Sequence, residues 1–247
     1  GLSDPQKDEA AALAREDGKD KKPSDFHFRS VRKKPLLMLH VLGPVGKEAD
    51  ARVPAFGLSF PDGHYQTEVE VVANQDDGVE WFGGTVDVSN VLVWNAGDDA
   101  IDTDQAWAGT LSNFAVVNPG DECFELDGPE GSLIDGHTIQ NGTVYAGGAD
   151  GLVDLDDNSL LEMTGIYFFG LSTGQDFDEL PVASADGEFT GGNLEATIPS
   201  GESVTDYFKD GSDQFVTEVG KNQNSVGADL SVFGWTWAVE SGAVDNL

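Results

Sequence analysis

One cysteine among 247 residues takes internal disulfide chemistry out of consideration, because Cys123 has no partner to pair with. Long apolar runs are missing too: no stretch reaches the roughly 18 to 20 residues needed to span a bilayer, so membrane insertion is not expected. The one strongly apolar N-terminal stretch, Pro35 to Leu42, lies too far in, behind a basic cluster, to read as a signal peptide. A mature or truncated secreted chain is expected to look the same. Positive charge is the scarcest resource. There are 13 Lys and Arg against 45 Asp and Glu, a net charge of −32. Residues 1 to 52 hold 11 of those 13 and 9 of the acidic residues, near +2, which leaves 2 basic against 36 acidic residues, near −34, for the remainder. A surface that acidic repels nucleic acid and anionic lipid and stays hydrated where salt screens its self-repulsion. A saline habitat is therefore expected.

The charge step divides the chain into a basic N-terminal segment, residues 1–52, read as a linker or capping arm, and an acidic domain, residues 53–247. Within the acidic part the sequence repeats, and the repeat sets the architecture. EVEVVAN from Glu68, SNVLVWN from Ser89, SNFAVVN from Ser112, QNGTVYA from Gln140 and TGIYFFG from Thr164 form one series. A second series follows each in step: QDDGVEW from Gln75, GDDAIDT from Gly97, GDECFEL from Gly120, ADGLVDL from Ala149 and GQDFDE from Gly174. Aligning the last acidic position gives Glu80, Asp102, Glu125, Asp154 and Asp178, separated by 22, 23, 29 and 24 residues. The long step holds an insertion, DGPEGSLID from Asp127. Leucine or helical periodicity is absent. The pattern predicts an all-β fold: a right-handed parallel β-helix of about five recognisable coils, with an atypical N-terminal segment. Val72, Val93, Val116, Val144 and Phe168 form one predicted inward column, and Val79, Ile101, Phe124, Val153 and Phe177 another.

The register weakens beyond Phe189, where a short C-terminal cap is expected, with a helix or loop around Ser203 to Phe208 and a closing strand through Phe233, Trp235 and Trp237. A cap is required because unpaired backbone on a terminal coil invites self-association through that edge.

The stretches VEVVANQDDGVEWFGGTV, NVLVWNAGDDAIDTDQAWAGT and FELDGPEGS resemble a family of secreted, often lipid-anchored β-helix proteins from Bacteroidetes-type bacteria, over about residues 68–247. The resemblance implies the fold and export to the cell surface or medium. Residues 1–67 depart from it, since relatives of this kind carry further coils there.

Stacked carboxylates are the candidate chemistry. Beside the ladder ending in Asp178, a second ladder, Asp76, Asp98, Asp121 and Asp150, falls at the preceding turn. Unit charges about 4.8 Å apart repel by about 0.9 kcal/mol in bulk water and about 3.5 at an effective dielectric near 20. Protonation, salt or a bound cation must offset that. Hard oxygen ligands at this density suit Ca²⁺, with Asp76, Asp77, Glu80, Asp98, Asp99, Asp102, Asp121 and Glu125 as the candidate ligands; a merely solvated acidic face is the alternative. Asn90, Asn113 and Asn141 read as an amide ladder at a corner.

Two functions follow. The first is a calcium-stabilised glycan-binding or adhesion protein, in which Trp81, Trp94 and Trp107 stack on the sugar rings of a polysaccharide or cell-surface glycan, unless Trp94 and Trp107 pack beneath the insertion. The second is a glycoside hydrolase of the polygalacturonase type, using Asp98, Asp99 and Asp121 with His137. A lyase needs a cationic or metal clamp, and beyond residue 52 the only Lys, Arg and His are Lys209, Lys221, His64 and His137.

Overall fold

The computed structural model describes residues 38–42, 68–129, 135–181, 187–221, 226–245 and 247. Thirteen strands lie among them, and their pairing is parallel throughout. Sheet A stacks β1 (Met38–Leu42), β2 (Glu68–Val72), β4 (Val88–Trp94), β6 (Thr110–Val117), β8 (His137–Tyr145) and β10 (Leu160–Phe169). Beyond β10 it forks. The first half of β10 pairs with β11 (Glu188–Gly192) and the second with β12 (Leu194–Ala196), which in turn pairs with β13 (Val216–Glu218). Sheet B stacks β3 (Val79–Phe82), β5 (Ile101–Asp104), β7 (Phe124–Leu126) and β9 (Asp154–Leu155), and single bridges carry it on through Phe177 to Phe208. Each sheet A strand with the sheet B strand after it makes one coil, so β2 with β3 is coil 1. The result is a parallel β-helix, wound in the right-handed sense that parallel crossovers favour.

Stacking puts like residues over like. Val79, Ile101 and Phe124 stand in register, as do Val153 and Phe177, and the last four are fully buried. On sheet A the inward column is Val71, Val93, Val116, Val144 and Phe168. This corrects the first coil by one residue. Val71, not Val72, faces Val93, and Ala73 rather than Asn74 lies beside Asn95, its N–H reaching the Trp94 carbonyl. Glu68 therefore takes the level of Asn90, and Asn74 lies one residue beyond the level of Asn95. Volumes compensate between coils. Gly142 is the register partner of Phe114, and a Cβ on it would lie 2.0 Å from the Phe114 ring.

The corners rest on asparagine. Asn90, Asn113, Asn141 and Asn193 have φ between 50° and 58°, and Gly165 continues the row at 69°. This left-handed conformation resets the alternation, so Val88 and Val91 both point inward across Ser89 and Asn90. Asn113 donates through its amide to Asn90 Oδ1 at 2.7 Å. A second ladder sits at the far end of the same strands. Asn95 and Asn118 are again left-handed, and Asn118 Nδ2 donates to Asn95 Oδ1 at 2.8 Å. Asparagine serves both needs, tolerating positive φ and linking successive coils. Asn118→Ala is expected to cost about 1 to 3 kcal/mol, from the strained backbone plus the lost hydrogen bond. Asn118→Gly loses only the second part, so urea unfolding of the pair separates the two contributions.

The C-terminal region differs from expectation. A short helix, Val204–Tyr207, falls where an excursion was expected, and Phe208 returns the chain to the sheet B column. Phe233, Trp235 and Trp237 form no strand. Leu230–Phe233 is a turn of 3₁₀ helix and Trp237–Glu240 a turn of α-helix. These turns do not sit on the last coil. They lie along the outer side of sheet A, where Phe233, Ala238 and Val244 pack on Leu92, Ala115 and Val117. The end of the solenoid is occupied instead by β13 and by Phe215, whose ring meets Phe189 edge-on at 5.4 Å. At the other end, β1 lies within the basic N-terminal segment yet pairs in register with β2 along its whole length. That stretch of the segment extends the solenoid. The remainder of residues 1–52 lies outside the described residues, as does the centre of the insertion after Asp127.

A candidate cation-binding face on sheet B

Alternation along sheet B turns every second residue outward, and on four successive coils the first such residue is acidic. Glu80, Asp102, Glu125 and Asp154 are register partners. The turn entering each strand adds two further rows. Asp77 Oδ1 accepts from the Asp99 N–H at 3.3 Å and Asp99 Oδ1 accepts from the Glu122 N–H at 2.7 Å, so Asp77, Asp99 and Glu122 hook each coil to the next. The row ends at Gly151, because the Glu122 carboxylate lies where a Cβ would stand. Outside it run Asp98, Asp121 and Asp150, joined by backbone hydrogen bonds of 3.3 and 2.8 Å.

The rows converge into three overlapping triads: Asp76, Asp77 and Asp98; Asp77, Glu80 and Asp102; and Asp98, Asp99 and Asp121. Within each triad one carboxylate oxygen per residue lies within 4.8 Å of the others. Oxygens sharing one Ca²⁺ at about 2.3 to 2.6 Å are at most about 5 Å apart, so each triad has the span of a calcium ligand set. Glu125, the eighth expected ligand, adjoins the third triad through a hydrogen bond with Asp99. A neutral side chain, Asn74, precedes the first triad in sequence. Asn74 is buried, its amide donates to the Asp77 carbonyl, and its Oδ1 has no hydrogen-bond partner.

Electrostatics set this face apart. Burial, with Asp77, Glu80 and Glu125 close by, pushes Asp102 up to about 9. Burial and the Asp99 charge raise Asp77 to about 7. Glu122 rises to about 8 through burial and its neighbours Asp121 and Asp99, and Glu125 to about 8 through burial and its hydrogen bond with Asp99. Asp127, beside Asp156 and hydrogen-bonded to Asp104, reaches about 7, again with burial first. Lys209 and Lys221 are the only Lys and Arg side chains among the described residues, and neither is a leading cause of these shifts. Glu122 and Asp127 were not singled out from sequence, although Glu122 follows Asp121 as Asp99 follows Asp98, and that spacing was the available signal.

The aromatic and histidine expectations change more. Trp81 and Trp107 are not exposed. They stack on each other inside the corner, centroids 4.6 Å apart and planes 11° from parallel, with Trp107 only 1% exposed. Trp94 meets Trp237 edge-on at 5.4 Å under the C-terminal segment, not under the insertion. The reason is position: Trp81 lies one residue past Glu80 and so points inward. His137 faces the core with Leu161, its Nε2 3.5 Å from Thr103 Oγ1 and its ring 5.3 Å from Trp107. Burial lowers its pKa to about 4, which keeps the imidazole neutral. The fold brings Asp98, Asp99 and Asp121 together and leaves His137 apart from them. The exposed aromatic on the acidic face is instead Phe82, 54% exposed, two residues beyond Glu80 and in register with Asp104.

Residues 45–149 match a family model described as a pectate-lyase-like beta helix domain, a stretch that contains all three triads and Phe82. No curated protein and no solved structure matches the chain. No helix among the described residues is long and apolar enough to cross a membrane.

Proposed function

We propose that this protein is a secreted or cell-surface β-helix that binds a polysaccharide or cell-surface glycan on the outer face of sheet B, with Ca²⁺ held among its carboxylates. The observation that carries the reading is the set of three overlapping triads on consecutive coils. Their crowding disfavours full ionisation without a counterion, and the orphaned Asn74 oxygen suits a hard cation. The match to a pectate-lyase-like domain over the same coils supports a polysaccharide ligand.

Thermal unfolding with millimolar Ca²⁺, with EDTA, and with NaCl at matched ionic strength tests the cation. A specific site stabilises by mass action, by about 2.7 kcal/mol at a concentration one hundred times Kd. Equal responses to the two salts would leave the ladders as a solvated, salt-adapted surface. The glycan has its own test. Phe82 presents its ring beside the ladder, so Phe82→Ala is expected to weaken retention on immobilised polysaccharide about tenfold while leaving the melting temperature in place.

Hydrolysis is the second reading, and Asp98, Asp99 and Asp121 would have to carry it. Their oxygens lie closer together than the roughly 6.5 to 9.5 Å that an inverting pair needs to admit water. Release of reducing ends that disappears in Asp121→Asn would establish it over simple binding.

A further inference from the structure

We propose that residues 226–245 form a clasp along the solenoid, latched by Glu70, that ties the first coil to the fifth and keeps the first coils from opening on their own.

A solenoid coil touches only its neighbours, so stability is passed along the stack and a terminal coil frays first. The C-terminal segment breaks that rule. It leaves the end of the solenoid and runs back across the outer side of sheet A, touching coil after coil. The Gly227 N–H donates to the Gly165 carbonyl of coil 5 at 3.0 Å, and the Ala228 N–H to Thr143 Oγ1 of coil 4 at 2.9 Å. The Asp229 N–H reaches Asn113 Oδ1 of coil 3 at 2.6 Å. Trp237 packs against Trp94 of coil 2. The Trp237 and Ala238 N–H groups then donate to Glu70 Oε2 and Oε1 of coil 1, at 3.0 and 2.8 Å. The contacts descend the stack in order.

Glu70 is the informative residue. It occupies an outward column whose next members are Leu92, Ala115, Thr143 and Tyr167, and it is fully buried. A buried carboxylate is costly unless hydrogen-bonded, and here both oxygens accept from the turn Trp237–Glu240. That turn is fixed by Thr236, itself fully buried, whose Oγ1 accepts from the Val239 N–H at 3.2 Å. Between latch and origin the apolar contact is separate from the main core: Phe233, Ala238 and Val244 pack on Leu92, Ala115 and Val117, flanked by the partly buried Trp94, Tyr145, Leu230 and Trp237. Two four-residue helical turns, in place of a strand in the ladder, make the segment one of the weaker parts of the fold, which is where local opening starts. The polar latch at one end and the ordered contacts along its length make that opening affect coil 1.

Amide hydrogen exchange on the full-length chain tests the coupling, comparing the native protein with Glu70→Ala, Glu70→Gln and Phe233→Ala. Release of the clasp is expected to speed exchange in residues 226–245 and also in β2 and β4 by about tenfold or more, with β8 and β10 changed much less. Glu70→Gln, which keeps one acceptor oxygen, should fall between the native protein and Glu70→Ala. Acceleration confined to residues 226–245 would overturn the proposal, since the segment would then be an appendage without mechanical effect. Should Glu70→Ala fail to fold, Phe233→Ala decides the matter, because it loosens the segment without leaving any charge or N–H unpaired.

Discussion

Asp102→Asn is expected to raise the melting temperature of the cation-free protein at pH 8 and to abolish most of its response to Ca²⁺. Asp102 is 7% exposed, lies between Glu80 and Glu125 in the ladder, and shares a triad with Asp77 and Glu80. Burial and those neighbours push its pKa to about 9, so at pH 8 the fold carries a proton there that the unfolded chain does not. Asparagine has nearly the same shape, needs no proton and repels no neighbour. Its gain is on the order of 2 kcal/mol, once the screening of the half-exposed neighbours is allowed for. With Ca²⁺ the order is expected to reverse, because under the proposed site the variant lacks one carboxylate of the triad. Melting curves of both proteins in EDTA and in Ca²⁺ give the four values needed. A variant less stable than the native protein in EDTA would mean that the Asp102 charge is already neutralised by another route.

Stability of the cation-free protein should fall as pH rises from about 5 to 9, unlike that of most acidic proteins. Carboxylates in the unfolded chain titrate near 4, whereas Asp77 and Asp127 are raised to about 7, Glu122 and Glu125 to about 8 and Asp102 to about 9. A group raised on folding contributes stability that is complete below its unfolded pKa and is lost as pH climbs through the folded value. The window is therefore pH 4 to 9, and the loss is on the order of 3 kcal/mol after screening. His137 acts in the opposite direction. Its pKa falls to about 4 on burial, so its contribution is complete above about 6.5 and is lost as pH drops through 4. Five raised carboxylates outweigh one lowered histidine throughout pH 4 to 6.5, so on these groups the cation-free protein should be most stable near pH 4. On the proposed calcium reading, saturating Ca²⁺ should favour the ionised ladder and flatten or invert the alkaline limb. Urea titrations at pH 5, 7 and 9, with EDTA and with Ca²⁺, read this directly, and an alkaline limb that is flat in EDTA would contradict the raised carboxylates.

The sequence by itself determined the solenoid, its coil length, the sheet B columns and the acidic ladders, because stacking in register turns each repeated position into a vertical row. Position 80 needs only its counterparts at 102, 125 and 154 to be placed. The Asn90, Asn113 and Asn141 corner was legible for the same reason. The one-residue slip in the first coil arose where the repeat is least regular: Glu68 replaces the corner asparagine and Ala73 the second one. Only the tertiary structure decided which rows meet. Sequence could not show that Asp76, Asp77 and Asp98 converge across two coils, because convergence depends on how tightly the turn before sheet B folds. Nor could it show that Trp81 and Trp107 close over each other inside a corner while Phe82 stays in solvent. A column fixes which coils share a row, but the direction of a side chain near a corner depends on where alternation is reset. The C-terminal segment has no repeat to read, and its path is fixed by long-range partners, above all Glu70, some 167 residues away in sequence. Periodicity carries no information about contacts of that kind.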